Sequence, residues 1–257
     1  MPSRTQTFEQ PLNERIRICL RVETLMKRYH YFEGLKGDWS AYSALLIILE
    51  ITALLERGDF KQELLKELER QHSALKGLSL HQEIDSSKLE LILCKQKSAI
   101  ADIHKLDGKL GEHLKRNDFL LGIKQRALIP GGSCDFDLPH LRFWLNQDHD
   151  TRVTDLRLWV APYFSLESVI ELILKSIRDS ATAVAVVADK GFYQKSLDQQ
   201  HSNQLIRVTV ASDLMVYSEI SAGKHRFSIR FMQTKPGGNL PTQVKDDLPF
   251  LLSRCSL

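Results

Sequence analysis

Residues 224–232 read KHRFSIRFM and carry the clearest pattern in the chain. Apolar and polar side chains alternate along this segment: Phe227, Ile229 and Phe231 against Arg226, Ser228 and Arg230. A period of two is typical of a strand with one buried and one solvent-facing side, on which successive residues lie about 7 Å apart. The segment therefore predicts a strand whose outer face carries two arginines, with Lys224 at its start.

Other parts of the last third of the chain are also strand-like. Residues 184–187 form a short run rich in valine, and residues 205–210 alternate between two sides. The sequence KPGG at 235–238 ends the ordered pattern. The tail beyond it is predicted to be loosely held.

The first half of the chain has a helical period instead. It predicts five amphipathic helices, over residues 11–29, 39–56, 59–75, 85–103 and 112–128. Pro11 suits the first turn of the first helix, where its missing N–H costs nothing. The apolar run at 44–55 is interrupted by Glu50. It is about 12 residues long, whereas a membrane span needs about 20, so we interpret it as a buried helix.

The sequence PGG at 130–132 interrupts the helical pattern. The alternation within LRFWL at 141–145 then predicts a short strand, and residues 152–160 and 166–179 return to a helical period.

Together these patterns predict an α+β fold. An N-terminal amphipathic helical bundle, residues 1–130, is followed by a smaller antiparallel β-strand domain with two further helices, residues 131–257. The helices at about 152–180 are expected to pack on the bundle. The bundle is also the expected dimerisation region, because it offers more apolar helix faces than one thin bundle buries.

Composition excludes several classes of protein. The formal net charge of +3 is too small to indicate a nucleic-acid binder by itself. Four scattered cysteines (Cys19, Cys94, Cys134 and Cys255) form neither a zinc-ligand pattern nor a dense disulfide framework, which fits a reducing cytosol. The N-terminal residues lack the apolar core of a signal peptide.

Two basic patterns are candidate binding sites. The first is the predicted strand face that carries Arg226 and Arg230, with Lys224 nearby. It suits a carboxylate-bearing peptide, because the hydrogen-bond geometry of a guanidinium group matches that of a carboxylate. An ordinary solvated sheet face explains the same pattern equally well. Arg17, Arg21 and Arg28 share one face of the first helix, and such a stripe is more often simply solvated.

Catalytic and metal-binding signatures are weak. The glycine pair at 131–132 lacks the spacing of a phosphate-binding loop, and a turn is the simpler interpretation. Asp135, Asp137 and His140 could be drawn as metal ligands, but Asp137 precedes Leu-Pro and is more simply a turn or capping residue. No nucleophile motif occurs.

Four segments, dense in arginine, aromatic residues and turn-formers, carry a resemblance to a known family. They are FEQPLNERIRICLRVE (8–23), ERGDFKQELLKELERQ (56–71), IPGGSCDFDLPHLRFWL (129–145) and GKHRFSIRFM (223–232). With these segments the chain resembles the ZapD family of bacterial cell-division proteins, which bind and bundle filaments of the tubulin-like GTPase FtsZ.

The resemblance implies a cytoplasmic homodimer at the mid-cell division ring that binds the C-terminal tail of FtsZ and cross-links its filaments. It implies no catalysis, cofactor, metal, nucleic acid or membrane insertion. The partner-binding residues it indicates are Arg21, Arg116, His140, Arg142, Lys224, Arg226 and Arg230.

Two alternatives stay open at this point. A nucleic-acid-binding regulator would also use arginines beside aromatic residues, although it needs a long basic stripe and the basic residues here are clustered and mixed with acids. A small-molecule enzyme would require a deep pocket with interacting titratable groups, which a sequence does not display.

Overall fold

The computed structural model describes residues 4–56, 58–78, 86–106, 108, 110–198, 202–234 and 240–257. The chain forms two compact units, residues 18–173 and residues 1–17 together with 174–257. This division differs from the one expected at residue 130. Residues 131–173 belong to the first unit, and the N-terminal segment contains a strand that pairs within the second unit. The α+β class is confirmed, with helices concentrated in the first part of the chain and antiparallel sheets in the last.

The helices have the following bounds: α1 (Glu14–Glu33), α2 (Asp38–Leu55), α3 (Phe60–Leu78), α4 (Ser86–Lys105), α5 (Asp118–Arg126), α6 (Pro139–Leu145) and α7 (His149–Asp179). A 3-10 helix at Glu112–Arg116 precedes α5. Asn117 begins α5 as a capping residue, since its Oδ1 accepts a hydrogen bond from the Leu120 N–H at 3.1 Å. The predicted helix over 112–128 is therefore two shorter helices.

The apolar run at 44–55 lies in α2, which is a core helix of the first unit. Half of its residues are buried, including Leu45, Ile48 and Ile51 on several sides. By length and composition α2 could cross a membrane, but a buried helix of a folded protein meets the same criteria. The prediction of a buried helix is confirmed.

The strand predicted over 141–145 is wrong, because these residues form α6. Pro139 occupies the first turn of this helix, where its fixed φ is favourable. Leu141, Trp144 and Leu145 are buried, whereas Phe143 is 69% exposed, so the buried side follows a helical spacing. The Trp144 indole N–H donates to Asp155 Oδ2 at 2.9 Å, which fixes α6 against α7.

The two helices predicted over 152–160 and 166–179 are one continuous helix, α7. Pro162 lies inside it and removes one backbone hydrogen bond. Val160, Tyr163 and Leu166 around the proline are fully buried, so tertiary packing outweighs its local cost. Tyr163 also hydrogen-bonds Thr52 of α2, oxygen to oxygen, at 2.8 Å.

The strands have the following bounds: β1 (Thr5–Pro11), β2 (Val184–Ala188), β3 (Phe192–Ser196), β4 (Asn203–Ala211), β5 (Val216–Ala222), β6 (Arg226–Gln233), β7 (Thr242–Gln243) and β8 (Leu248–Ser256). They form two antiparallel sheets. The first has the order β1-β4-β8-β2, and the second has the order β3-β6-β5 with β7 paired to the end of β6.

The two sheets enclose an apolar core. Ile206 and Val208 of β4 and Phe250 of β8 face Phe227 and Phe231 of β6 across it. The rings of Phe231 and Phe250 have centroids 4.9 Å apart. Gly191, between β2 and β3, has φ +69°, and a Cβ there would approach the Val244 carbonyl oxygen to 2.6 Å, so the connection requires glycine.

Two predictions about the chain ends are wrong. Pro11 is the last residue of β1 rather than the start of a helix, and it pairs with Leu205. The tail is not loosely held after residue 240, because β8 lies between β4 and β2 and its apolar residues Leu248, Phe250 and Leu252 enter the core. Residues 235–239, in which the predicted break falls, lie outside the described part of the chain.

The opposite face of the first sheet carries an ionic cluster. The Glu9 carboxylate accepts hydrogen bonds from Arg178 Nε at 2.9 Å, Arg178 Nη2 at 2.7 Å and Arg207 Nε at 2.8 Å. These contacts join β1, β4 and the last turn of α7. Nearby, burial raises the pKa of the Cys255 thiol to about 11.

Candidate peptide-binding surface

The outer side of β6 has the predicted alternation. Arg226 and Arg230 are exposed, while Phe227, Ile229 and Phe231 are buried in the core between the sheets. The apolar side of the strand therefore anchors it, and the two arginines face solvent from a supported backbone. The prediction of a two-sided strand over 226–232 is confirmed.

The neighbouring strands extend this side of β6 into a wider surface, which we call the basic sheet face. It consists of Arg226, Ser228 and Arg230 of β6, Phe192, Gln194 and Ser196 of β3, and Glu219 and Ser221 of β5. Arg230 lies in register between Phe192 and Glu219, and Arg226 lies beside Ser196. The surface thus offers guanidinium, hydroxyl and amide groups beside an aromatic ring.

Neither arginine of the basic sheet face is neutralised within the part of the chain that the structure describes. Glu219 is the cross-strand neighbour of Arg230, yet no ion pair within 4.0 Å joins the two, and Arg226 has no acidic partner among the described residues. Both guanidinium groups can therefore donate hydrogen bonds to an external carboxylate. The negative charge of Glu219 lies beside Arg230 on the β5 side.

Lys224 lies in the turn between β5 and β6. The Gly223 N–H donates to the Arg226 carbonyl at 2.9 Å, which closes the hairpin, and Lys224 is exposed at its tip. The next residue, His225, accepts a hydrogen bond at its carbonyl from the Leu197 N–H at 2.8 Å. The lysine thus stands at the end of the basic sheet face on a backbone held from both sides.

The three arginines of the basic stripe on α1 differ in their ion pairs. Arg17 pairs with Glu14 at 3.0 Å, and Arg28 pairs with Glu50 of α2 at 3.1 Å. Arg21 is exposed and has no ion pair with a described residue. Arg21 is thus the arginine of the stripe that has no ion pair with a described residue.

The remaining predicted residues lie in the first unit on separate elements. Arg116 is the exposed last residue of the 3-10 helix, and His140 and Arg142 are exposed on α6. Arg142 is 3.7 Å from Asp135. The structure therefore groups Lys224, Arg226 and Arg230 on one surface, and places Arg21, Arg116 and the α6 pair on three other elements.

Two of the three residues considered as metal ligands, Asp135 and Asp137, contact arginines instead. Asp137 accepts a hydrogen bond from Arg126, and Asp135 pairs with Arg142. The described residues contain no group of three or more His, Cys, Asp or Glu side chains that could hold a metal ion. Asp137 itself lies in the turn that precedes α6.

Comparison with known proteins places the chain in a family. The model of the ZapD family, described as a cell division protein, matches residues 20–230. The chain is 38% identical over 250 residues to the cell division protein ZapD of Methylococcus capsulatus, covering 97% of this chain and 98% of the relative. It is 36% identical over 251 residues to ZapD of Nitrosomonas eutropha, covering 97% and 99%.

A third relative extends the comparison. The chain is 37% identical over 249 residues to the cell division protein ZapD of Chromobacterium violaceum, covering 97% of this chain and 98% of the relative. The family model alone spans most of the chain, from α1 to β6. The predicted resemblance is confirmed: this chain belongs to the ZapD family of cell-division proteins.

Proposed function

We propose that this chain binds the C-terminal tail of FtsZ on the basic sheet face and, as a homodimer, cross-links FtsZ filaments into bundles at the division ring. The observation that carries the proposal is the pair of exposed arginines on β6, which have no ion pair among the described residues while the opposite side of the strand is buried. Membership of a cell-division family supports the choice of FtsZ, a cell-division protein, as the partner.

The chemistry of the surface fits an extended acidic peptide. Arg226 and Arg230 are four residues apart on one strand, so their attachment points are separated by about 13 Å, which matches carboxylates spaced along an extended chain. Ser228, Gln194 and Ser221 lie between the arginines and offer hydrogen bonds to the peptide backbone. The exposed part of the Phe192 ring provides an apolar contact beside Arg230.

Arg21, Arg116, His140, Arg142 and Lys224 are proposed as further contributors to partner binding. The role is supported for Arg21 and Arg116 because both are exposed and neither has an ion pair with a described residue. Arg142 would exchange its 3.7 Å contact with Asp135 for one with the partner. Exposed pairs of this length contribute little to stability, so the exchange costs little.

Bundling follows from two weak sites in one dimer. A filament presents many copies of the same tail, so a dimer that is held by one tail meets further tails at high effective concentration. In this proposal the protein acts in the cytoplasm by binding alone. It makes or breaks no covalent bond and requires no cofactor. A nucleic-acid partner is less favoured because tracking a phosphate backbone needs a long basic stripe, whereas the basic sheet face carries two arginines with Glu219 beside one of them.

The test is a titration of a labelled FtsZ tail peptide against the Arg226→Ala/Arg230→Ala variant. Exposed ion pairs contribute up to about 1 kcal/mol each and hydrogen bonds to charged groups about 1.5–3 kcal/mol, so the peptide should bind roughly 30-fold more weakly or worse. Arg254→Ala is the matched control, because Arg254 is an exposed arginine on β8 of the other sheet.

Pelleting with FtsZ and GTP then tests the bundling step. The wild-type chain should sediment full-length FtsZ filaments but not filaments of tail-truncated FtsZ, and the double variant should fail with both. Circular dichroism establishes that the variant is folded. A folded double variant that binds the tail as tightly as the wild type would remove the basic sheet face from the mechanism.

A further inference from the structure

The basic sheet face contains one acidic residue, Glu219. It is the central residue of β5, is exposed, and lies in register with Arg230 of β6. No described residue forms an ion pair or a hydrogen bond with its carboxylate. A negative charge without a partner among the described residues thus lies on the surface that carries Arg226 and Arg230.

The backbone geometry favours the separation of Glu219 from Arg230. The Gly223 N–H donates to the Arg226 carbonyl, so these two residues form a hydrogen-bonded pair of the hairpin. Such pairs alternate along an antiparallel ladder, so Glu219 and Arg230 also form one. In a pair of this kind the Cα atoms are about 5.5 Å apart, and the side chains lie farther apart than in the alternate pairs. Both charges therefore stand side by side, and each can meet a group of a ligand.

The Glu219 carboxylate makes the surface selective for charge. A peptide whose only charged residues are acidic would be attracted by Arg230 and repelled by Glu219. A lysine or arginine of the peptide would instead be attracted by Glu219, because ammonium and guanidinium groups donate charge-assisted hydrogen bonds to carboxylates. The surface is therefore complementary to a peptide that brings a cation to β5 and carboxylates to β6.

We propose that the peptide bound on the basic sheet face has mixed charge. A lysine or arginine of the peptide pairs with Glu219, and acidic residues pair with Arg226 and Arg230. Glu219 is thus a specificity-determining residue of the surface. The inference rests on the proposed function and names the chemistry of the peptide at that same site.

The surface also sets the order of the charges along the peptide. Arg226 is near Lys224 in the hairpin, and its cross-strand neighbour on β3 is a serine, so this end attracts acidic residues. Arg230 lies between Glu219 and the partly exposed Phe192, so the other end takes an acidic, a basic and an apolar group together.

The two ends of the surface act independently. Arg226 and Arg230 are four strand residues apart, about 13 Å, which exceeds the Debye length of about 8 Å at physiological ionic strength. The peptide therefore lies on the sheet in one direction, with its purely acidic part at Arg226 and its basic residue at Glu219.

Titration of a labelled FtsZ tail peptide against Glu219→Gln tests the pairing, because glutamine keeps the size of the side chain and removes its charge. If Glu219 pairs with a basic residue of the peptide, the variant should bind about two- to fivefold more weakly, which is the effect of one exposed ion pair. If Glu219 only repels an acidic peptide, the variant should bind more tightly. Tighter binding or an unchanged Kd would overturn the proposal.

Asp213→Asn is the matched control. It makes the same change in net charge at an exposed residue of the 3-10 helix Ser212–Leu214, which precedes β5 and is not part of the basic sheet face. The control should leave the Kd unchanged, and circular dichroism establishes that both variants are folded. An equal loss of affinity in both variants would reflect net charge alone and would overturn the pairing at Glu219.

A change in the peptide tests the same contact without altering the chain. A tail peptide in which glutamine replaces every lysine and arginine should bind the wild type more weakly, and should no longer distinguish it from Glu219→Gln. On a surface that attracts only acidic residues, removing these positive charges would strengthen binding instead. This peptide decides if Glu219→Gln does not fold, and binding as tight as that of the unmodified tail overturns the proposal.

Failure of this inference and failure of the proposed function have different signatures. A folded Arg226→Ala/Arg230→Ala variant that binds the tail with wild-type affinity removes the basic sheet face, and the inference with it. Loss of binding in that variant, together with unchanged or tighter binding by Glu219→Gln, leaves the proposed function intact and overturns the mixed-charge peptide alone.

Discussion

Replacing Glu9 by alanine is expected to destabilise the protein markedly. Its carboxylate accepts three charge-assisted hydrogen bonds, two from Arg178 and one from Arg207, at 2.7–2.9 Å. The side chains of Glu9, Arg178 and Arg207 are 17%, 22% and 30% exposed. Without Glu9 two neighbouring guanidinium groups would remain partly buried and would repel each other.

The size of the effect lies between two limits. Removing one partner of a fully buried pair costs about 3–5 kcal/mol, and an exposed pair contributes up to about 1 kcal/mol. Because the cluster is mostly buried but still reached by water, Glu9→Ala should lower the free energy of unfolding by about 2–3 kcal/mol. For a chain of this length that corresponds to a fall in Tm of roughly 5–10 °C.

Thermal and urea unfolding followed by far-ultraviolet circular dichroism provide the measurement. Glu14→Ala is the matched control, because Glu14 also pairs with an arginine, Arg17 at 3.0 Å, but on an exposed part of α1. The control should cost less than about 1 kcal/mol. If Glu9→Ala is no more destabilising than Glu14→Ala, the cluster does not hold β1, β4 and α7 together as the geometry indicates.

Three further outcomes are expected. Binding of the FtsZ tail peptide should weaken steadily in titrations at rising ionic strength, since the Debye length falls from about 10 Å at 0.1 M to about 3 Å at 1 M; an affinity independent of salt would indicate an apolar site instead. Burial raises the pKa of Cys255 from 9.0 to about 11 and that of Tyr163 from 10.0 to about 12. The unfolded chain therefore loses these protons at lower pH than the folded chain, and urea midpoints should fall as the pH rises above 9, less steeply in Cys255→Ala. Leu141→Ala should cost about 2–5 kcal/mol in urea unfolding and Phe143→Ala under about 1 kcal/mol, because Leu141 is buried and Phe143 is exposed; similar losses would contradict the helical assignment.

Much of the fold was predictable where a segment has a strong period of its own. The helices α2, α3 and α4 begin and end within a few residues of the predicted bounds, and β6 shows the predicted alternation. Short segments were less predictable. The sequence LRFWL alternates like a strand, yet packing of Trp144 and its hydrogen bond to Asp155 select a helix.

The candidate site was predictable only in part. The alternation of KHRFSIRFM identified the exposed arginines of β6, because side-chain direction along a strand is a local property. The position of Glu219 opposite Arg230, and of Phe192 on the other side, depends on which strands pair and in which register. The pairing of Arg28 with Glu50 also requires two helices to meet, so the sequence alone does not show which arginines of this stripe have an ion pair.

By itself the sequence determined the α+β class, the two faces of β6 and the family. Each of these depends on residue order or on near neighbours in the chain. Only the tertiary structure decided that Pro11 ends a strand, that the C-terminal segment lies inside the first sheet, and that β1 and β2 are the outer strands of that sheet as described. Strand pairing joins residues far apart in the chain, such as Thr5 with Ala211, and depends on the burial of a shared core that no local pattern encodes.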